Sequence, residues 1–203
     1  MREKPKHEYR FFKEKTTRNN FREASKDIGN YLRENKIKNV VLVDKSARPL
    51  WAAIKKTNPE IKIHFLSPKK KIGKKLERII KEKRIALIDD YTSTGLTLFS
   101  LHENLKDIKH ENMHFISFGS AAPKHIYLNP KSLIKLHIGK ENIHHEEIVP
   151  WSIREEDQKK EENKHLKGST GIKYAEGRRK PEENKENARK LREEIKKVLE
   201  TKD

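Results

Sequence analysis

The sequence predicts an α/β fold: a doubly wound, mostly parallel sheet carrying a basic N-terminal arm and a charged C-terminal tail and helix. Three observations predict it. Short apolar runs alternate with amphipathic stretches through residues 17–153, the pattern of parallel strands joined by right-handed helical crossovers. Runs such as Val40-Val41-Leu42-Val43 are continuously apolar, as a strand buried on both faces must be. Two of these runs exit into strongly polar segments, and open α/β sheets bind ligands beyond the carboxyl ends of their strands.

Taken in order, residues 1–16 read as a basic, loosely ordered arm. Asn20-Phe21-Arg22-Glu23 has the form of a capping box. Phe21, Ala24, Ile28, Tyr31 and Leu32 follow at helical spacing, predicting a helix to about Asn35. Residues 40–43 form the first strand, and Pro49 suits the first turn of a second helix. Residues 61–66, 85–88, 113–118 and 133–138 are the remaining strands. A helix is expected over 94–105, and Leu76, Ile79 and Ile80 make the second half of 67–83 helical. Residues 154–180 are highly charged with few apolar residues, which predicts a flexible linker. Pro181 opens a last helix, within 181–203, with Ala188, Leu191, Ile195 and Val198 on one face. That stripe has three readings: docking on the domain, pairing with a partner, or fraying. The expected organisation is therefore arm 1–16, domain 17–153, linker 154–180 and helix 181–203, with residues 154–203 dispensable for the fold.

Composition narrows the function classes. The chain has no cysteine, which excludes disulfides and thiolate metal sites. No run of about eighteen apolar residues is present, so no membrane-spanning helix is expected. The charged first fifteen residues lack the apolar core of a secretion signal, so a cytoplasmic protein is expected. The formal net charge is +17. Residues 154–203 carry only +3, which leaves +14 on residues 1–153, and residues 68–84 alone hold nine basic and two acidic side chains. Such a field favours a polyanion, either a phosphorylated small molecule or a nucleic acid. A lysine-rich, heat-adapted composition gives the same number.

Asp89-Asp90 at the end of an apolar strand is weakly specific by itself, because receiver domains also place acids near strand ends. Thr92-Ser93-Thr94-Gly95-Leu96-Thr97 follows, offering hydroxyls, a glycine and the free N–H groups of a starting helix as an anion cradle. Carboxylates suit vicinal sugar hydroxyls, because carboxylates only accept hydrogen bonds and hydroxyls donate them. The whole run Ile85-Ala86-Leu87-Ile88-Asp89-Asp90-Tyr91-Thr92-Ser93-Thr94-Gly95-Leu96-Thr97 resembles the phosphoribosyl pyrophosphate signature of type I phosphoribosyltransferases. The resemblance covers about residues 17–140. It implies that Asp89 and Asp90 hold the ribose hydroxyls, and that Thr92, Ser93, Thr94, Gly95 and Thr97 wrap the 5-phosphate. Residues 41–50, Val41-Leu42-Val43-Asp44-Lys45-Ser46-Ala47-Arg48-Pro49-Leu50, resemble the family's first strand and pyrophosphate loop. Lys45, Ser46, Ala47 and Arg48 are the residues implied there, although Ser46-Ala47 stands where glycines are common. Lys45 and Arg48 also fit as solvated loop charges.

In the same family the connection over residues 67–83 closes over the site and brings a basic residue to the leaving pyrophosphate. Lys69, Lys70, Lys71, Lys74 and Lys75 are the candidates, with a solvated basic turn as the alternative. The resemblance implies a Mg²⁺-dependent phosphoribosyltransferase whose ion is bound mainly through phosphoribosyl pyrophosphate, with no metal site on the protein itself. Its partners would be phosphoribosyl pyrophosphate and an unidentified acceptor, by resemblance a nitrogenous base. Nucleic acid and a homodimer stay open, and no membrane partner is expected. The alternative function is a non-catalytic phosphoribosyl pyrophosphate sensor or RNA-binding regulator on the same fold. Ser93 stands where 6-oxopurine transferases carry an aspartate, which disfavours hypoxanthine or guanine. Trp151 could stack on a base or close the core, with the core preferred. His144-His145-Glu146-Glu147 is read as no metal site, because neighbouring residues on a strand face opposite ways. His110 and His114 are read as surface residues.

Overall fold

A computed structural model describes residues 9–43, 46–66, 72–92, 100–101, 105, 113–121, 135–151 and 181–201. Five strands form one sheet: β1 (Asn39–Val43), β2 (Lys62–Leu66), β3 (Ile85–Thr92), β4 (Met113–Ser120) and β5 (Lys135–Ile138). Every pairing is parallel and the order is β2-β1-β3-β4-β5. The chain therefore turns one way from β1 to β2 and the other way from β3 onward. The point of reversal lies between β1 and β3, where an open α/β sheet presents its crevice.

The alternation of side chains sorts the core into two layers. Val40, Leu42, Ala86, Ile88, Ile116 and Phe118 face one side, where they meet Phe21, Ala24, Ile28 and Leu32 of α1 (Lys15–Glu34). Leu50, Ala53 and Ile54 of α2 (Leu50–Thr57) complete that layer. Val41, Val43, Ile85, Leu87, Met113 and Phe115 face the other side. There they pack with Leu66 and with Ile80 of α3 (Lys74–Glu82), and also with Leu101 and Leu105. Helices on both faces make the sheet doubly wound, as expected.

Several local expectations need correction. α1 begins at Lys15, so Asn20 is not a cap. It sits inside the helix, where its side-chain amide donates to the Glu147 carbonyl at 3.3 Å. The capping-box pattern was overridden because Phe11, Phe12 and Thr17 are themselves buried and draw the start of the helix into the core. α1 ends in a Schellman arrangement: Lys36 takes φ 53°, and the N–H groups of Lys36 and Ile37 donate to the carbonyls of Arg33 and Leu32. β3 runs on to Thr92, so the acidic pair lies within a strand rather than after one. His114 is 1% exposed, not a surface residue, and its Nδ1 is 2.9 Å from the Tyr31 hydroxyl. His110 and the 154–180 linker lie outside the described residues, as does all of the 94–105 helix except Ser100, Leu101 and Leu105.

The C-terminal helix α4 (Pro181–Glu200) docks on the domain. Leu191, Ile195 and Val198 are fully buried in the layer that holds α1 and α2. Its Glu194 carboxylate accepts from the backbone N–H groups of Arg10, Phe11 and Phe12 at 3.0, 2.8 and 2.6 Å. One charged side chain from the far end of the sequence thus satisfies three donors of the N-terminal arm. This packing runs against the expectation that residues 154–203 are dispensable, and against a loose arm as far as residue 16.

Candidate active site

The site is built at the notch between β1 and β3. β1 pairs with β3 only as far as Leu42↔Ile88, whereas β3 stays paired with β4 through Thr92↔Ser120. Asp89 is therefore the first residue of β3 with no β1 neighbour, and the turn over residues 46–49 fills the space beside it. That turn leads into α2 through N–H donations from Leu50, Trp51 and Ala52 to Ala47, Arg48 and Pro49. Pro49 takes φ −60° and ψ −26°, already helical.

Both carboxylates are buried, Asp89 at 6% and Asp90 at 4% exposure. By strand alternation they leave opposite faces of the sheet. A single ligand that reaches both must therefore lie across the edge of the sheet at this notch. The Ser46 hydroxyl donates to Asp90 Oδ1 at 2.8 Å, and the Asp90 backbone N–H donates to Asp89 Oδ1 at 3.0 Å. Asp90 Oδ2 has no hydrogen-bond partner among the described residues. His145 Nε2 lies 3.9 Å from Asp90 Oδ2, too far for a hydrogen bond.

This arrangement splits the acidity of the pair. Burial first, and then the neighbouring charge of Asp90, push the Asp89 carboxyl well above the usual range. Burial also acts upward on Asp90, but His145, the Ser46 hydroxyl and Asp89 together outweigh it and leave Asp90 below its ordinary value. Asp90 is thus the more acidic member of the pair and Asp89 the less acidic.

A strap formed by residues 139–151 roofs the notch. The Tyr91 hydroxyl donates to the Ile143 carbonyl at 2.9 Å. The His145 ring stands edge-on to Tyr91, with centroids 4.8 Å apart. Trp151 Nε1 donates to the Ser46 carbonyl at 2.9 Å, while its ring packs on Phe12 and Phe21. Trp151 is therefore a core residue that also ties the roof to the β1–α2 turn. A Cβ at Gly119 would come within 2.9 Å of Ile148, so the strap lies this close to β4 only because position 119 has no side chain.

Of the residues singled out in the sequence, Asp89, Asp90, Ser46 and Thr92 are brought to one edge. Ala47 is buried beneath the turn. Arg48 lies over the Phe65 ring at 4.7 Å. The hydroxyls of Thr92 and its register partner Ser120 are buried and have no hydrogen-bond partner among the described residues. Lys45, Lys69, Lys70, Lys71, Ser93, Thr94, Gly95 and Thr97 lie outside the described residues. Sequence reasoning missed His145. It saw the His144-His145-Glu146-Glu147 run only as a rejected metal motif, and no local pattern announces a contact with Asp90 fifty-five residues away. Among the described residues no group of three His, Cys, Asp or Glu side chains could hold a metal ion, and no helix is long and apolar enough to cross a membrane.

No family model and no curated protein matches this chain. Solved structures do. A hypoxanthine-guanine phosphoribosyltransferase from Bacillus anthracis is 18% identical, over 61% of this chain and 78% of that one, with a TM-score of 0.47. A hypoxanthine phosphoribosyltransferase from Staphylococcus aureus is 17% identical, over 61% and 74%, with a TM-score of 0.47. A purine phosphoribosyltransferase from Pyrococcus horikoshii is 15% identical, over 60% and 86%, with a TM-score of 0.42. The architecture rests on the chain's own strand order and register.

Proposed function

We propose that the protein is a phosphoribosyltransferase that binds phosphoribosyl pyrophosphate across the β1–β3 notch and transfers the phosphoribosyl group to a nitrogenous acceptor. The observation that carries this reading is the buried acidic pair at the point of strand reversal, one member of which has an oxygen with no hydrogen-bond partner among the described residues. Asp89 and Asp90 accept from the vicinal hydroxyls of the sugar. Thr92, Ser93, Thr94, Gly95 and Thr97 receive the 5-phosphate through hydroxyls and amides. Ser46 and Ala47 line the pyrophosphate side. Lys45, Arg48 and the lysines at 69–71 stabilise the charge that develops as the C1–oxygen bond breaks and the acceptor nitrogen closes on C1. The transfer requires no nucleophile from the protein, so much of the rate comes from positioning.

The residues present fit Mg²⁺ that arrives with the substrate. An unpartnered buried carboxylate oxygen suits an assembly of sugar hydroxyls and a hard cation, while the described residues offer no all-protein cage. When bound, the ion would neutralise pyrophosphate charge, and Asp89 and Asp90 would hold the sugar with which it arrives.

Phosphoribosyl pyrophosphate with Mg²⁺ should raise the melting temperature, by an amount equivalent to about 2.7 kcal/mol at roughly 100 times Kd. Pyrophosphate release with a panel of bases should then identify the acceptor. No thermal shift at millimolar ligand would remove the reading. The +17 charge favours a second one, an RNA-binding regulator on this fold. Changing Lys69, Lys70 and Lys71 to alanine separates the two. In an enzyme, turnover should fall more than ligand binding does. In a regulator, RNA affinity should fall uniformly across sequences, and its salt dependence should flatten by up to about three contacts' worth.

A further inference from the structure

We infer that His145 is a specificity-determining residue that completes a single-hydroxyl pocket with Asp90. The inference rests on the proposed phosphoribosyl site. Asp90 is 4% exposed and its Oδ1 is already committed to the Ser46 hydroxyl at 2.8 Å. Its Oδ2 has no hydrogen-bond partner among the described residues. His145 Nε2 stands 3.9 Å from that oxygen, on a side chain 30% exposed. Two polar atoms at this separation do not bond to each other, but a sugar hydroxyl at hydrogen-bond distance from both would bridge them. With hydrogen bonds of about 2.8 Å, the two atoms subtend about 90° at a shared oxygen.

The protons decide the identity of that oxygen. A carboxylate can only accept, so the bridging group donates its proton to Asp90 Oδ2. A hydroxyl has a single proton, so its remaining lone pairs face Nε2, which must then donate. A sugar hydroxyl meets both demands. A deoxy carbon meets neither and leaves the buried Asp90 oxygen and the half-buried His145 donor unpaired, the situation in which a site discriminates most strongly. The roof keeps the ring in place: it stands edge-on to Tyr91 at 4.8 Å, and Tyr91 is anchored to the Ile143 carbonyl at 2.9 Å. His145 would thus add a second reader of the sugar, on a segment remote in sequence from the acidic pair.

The test is calorimetric binding of ribose 5-phosphate, 2-deoxyribose 5-phosphate and 3-deoxyribose 5-phosphate to the full chain and to two variants. His145→Phe keeps a ring against Tyr91 and removes the donor. His145→Gln retains a donor of similar reach. The wild type should prefer ribose 5-phosphate over one deoxy sugar, and that sugar names the bridged hydroxyl. The Phe variant should shrink this preference roughly tenfold, chiefly by weakening the ribose ligand. The Gln variant should keep most of it. An unchanged preference in the Phe variant overturns the inference, as does equal weakening of all three sugars. If the wild type binds ribose 5-phosphate without discriminating either deoxy sugar, the pocket is wrong but the phosphoribosyl reading stands. If it binds none of the three nor phosphoribosyl pyrophosphate, both fall. Melting temperatures of the unliganded variants establish that each is folded.

Discussion

Asp89 and Asp90 are chemically identical neighbours that the fold makes unlike. Asp89, buried and beside a charge, holds its proton above the normal range; Asp90, served by Ser46 and His145, gives its proton up below it. The consequences for stability have opposite signs. Between about 3.9, the value of an unfolded aspartate, and the raised folded value of Asp89, the native state binds more protons than the unfolded chain. The Asp89 contribution therefore declines as pH rises through that window. The Asp90 contribution is present above the ordinary range and is lost as pH falls through its lowered folded value. Asp89→Asn should consequently stabilise the ligand-free protein at neutral pH by about 1 kcal/mol, roughly 2–4 °C in melting temperature. The same variant should lose the thermal shift caused by phosphoribosyl pyrophosphate. Melting curves from pH 4 to 8 check both parts, and a destabilised variant at pH 7 would show that the pair is not strained.

At the scale of elements, α4 behaves as part of the α/β unit. Its Leu191, Ile195 and Val198 are buried in the same layer as α1 and α2, and Glu194 satisfies three N–H groups of the arm. Leu191→Ala should cost about 2–5 kcal/mol, as for other fully buried leucines. Glu194→Ala leaves three donors without their acceptor and should cost about 1–3 kcal/mol. A chain ending at residue 154 should be less stable than either variant. Urea denaturation of the three proteins measures this directly. If the truncated chain unfolded at the wild-type midpoint, the contact between α4 and the sheet layer would carry no stability.

For the whole molecule, 48 Lys and Arg face only 31 Asp and Glu. Repulsion among like charges opposes the compact state, and salt screens it over about 10 Å at 0.1 M. Raising sodium chloride from 0.02 to about 0.5 M should therefore raise the melting temperature in the absence of ligand. A flat or falling profile would mean that individual ion pairs, such as Lys56–Glu200 at 2.5 Å, outweigh the net field.

The strands were legible because a sheet buried on both faces demands continuous apolar runs, and Val40–Val43 and Ile85–Ile88 meet that demand locally. The position of the acidic pair was legible for the same reason: it terminates such a run. What the sequence by itself determined was thus the α/β class and the strand positions. Only the tertiary structure decided that His145 faces Asp90, that Trp151 ties the roof to Ser46, that His114 is buried against Tyr31, and that Glu194 caps the arm. Each of these contacts joins residues from about fifty to nearly two hundred positions apart. Their partners are fixed by strand order and helix docking, to which neither periodicity nor local motif is sensitive. The mistaken cap at Asn20 has the same origin: local hydrogen bonding favoured a helix start there, and the burial of Phe11, Phe12 and Thr17 against distant residues moved it to Lys15.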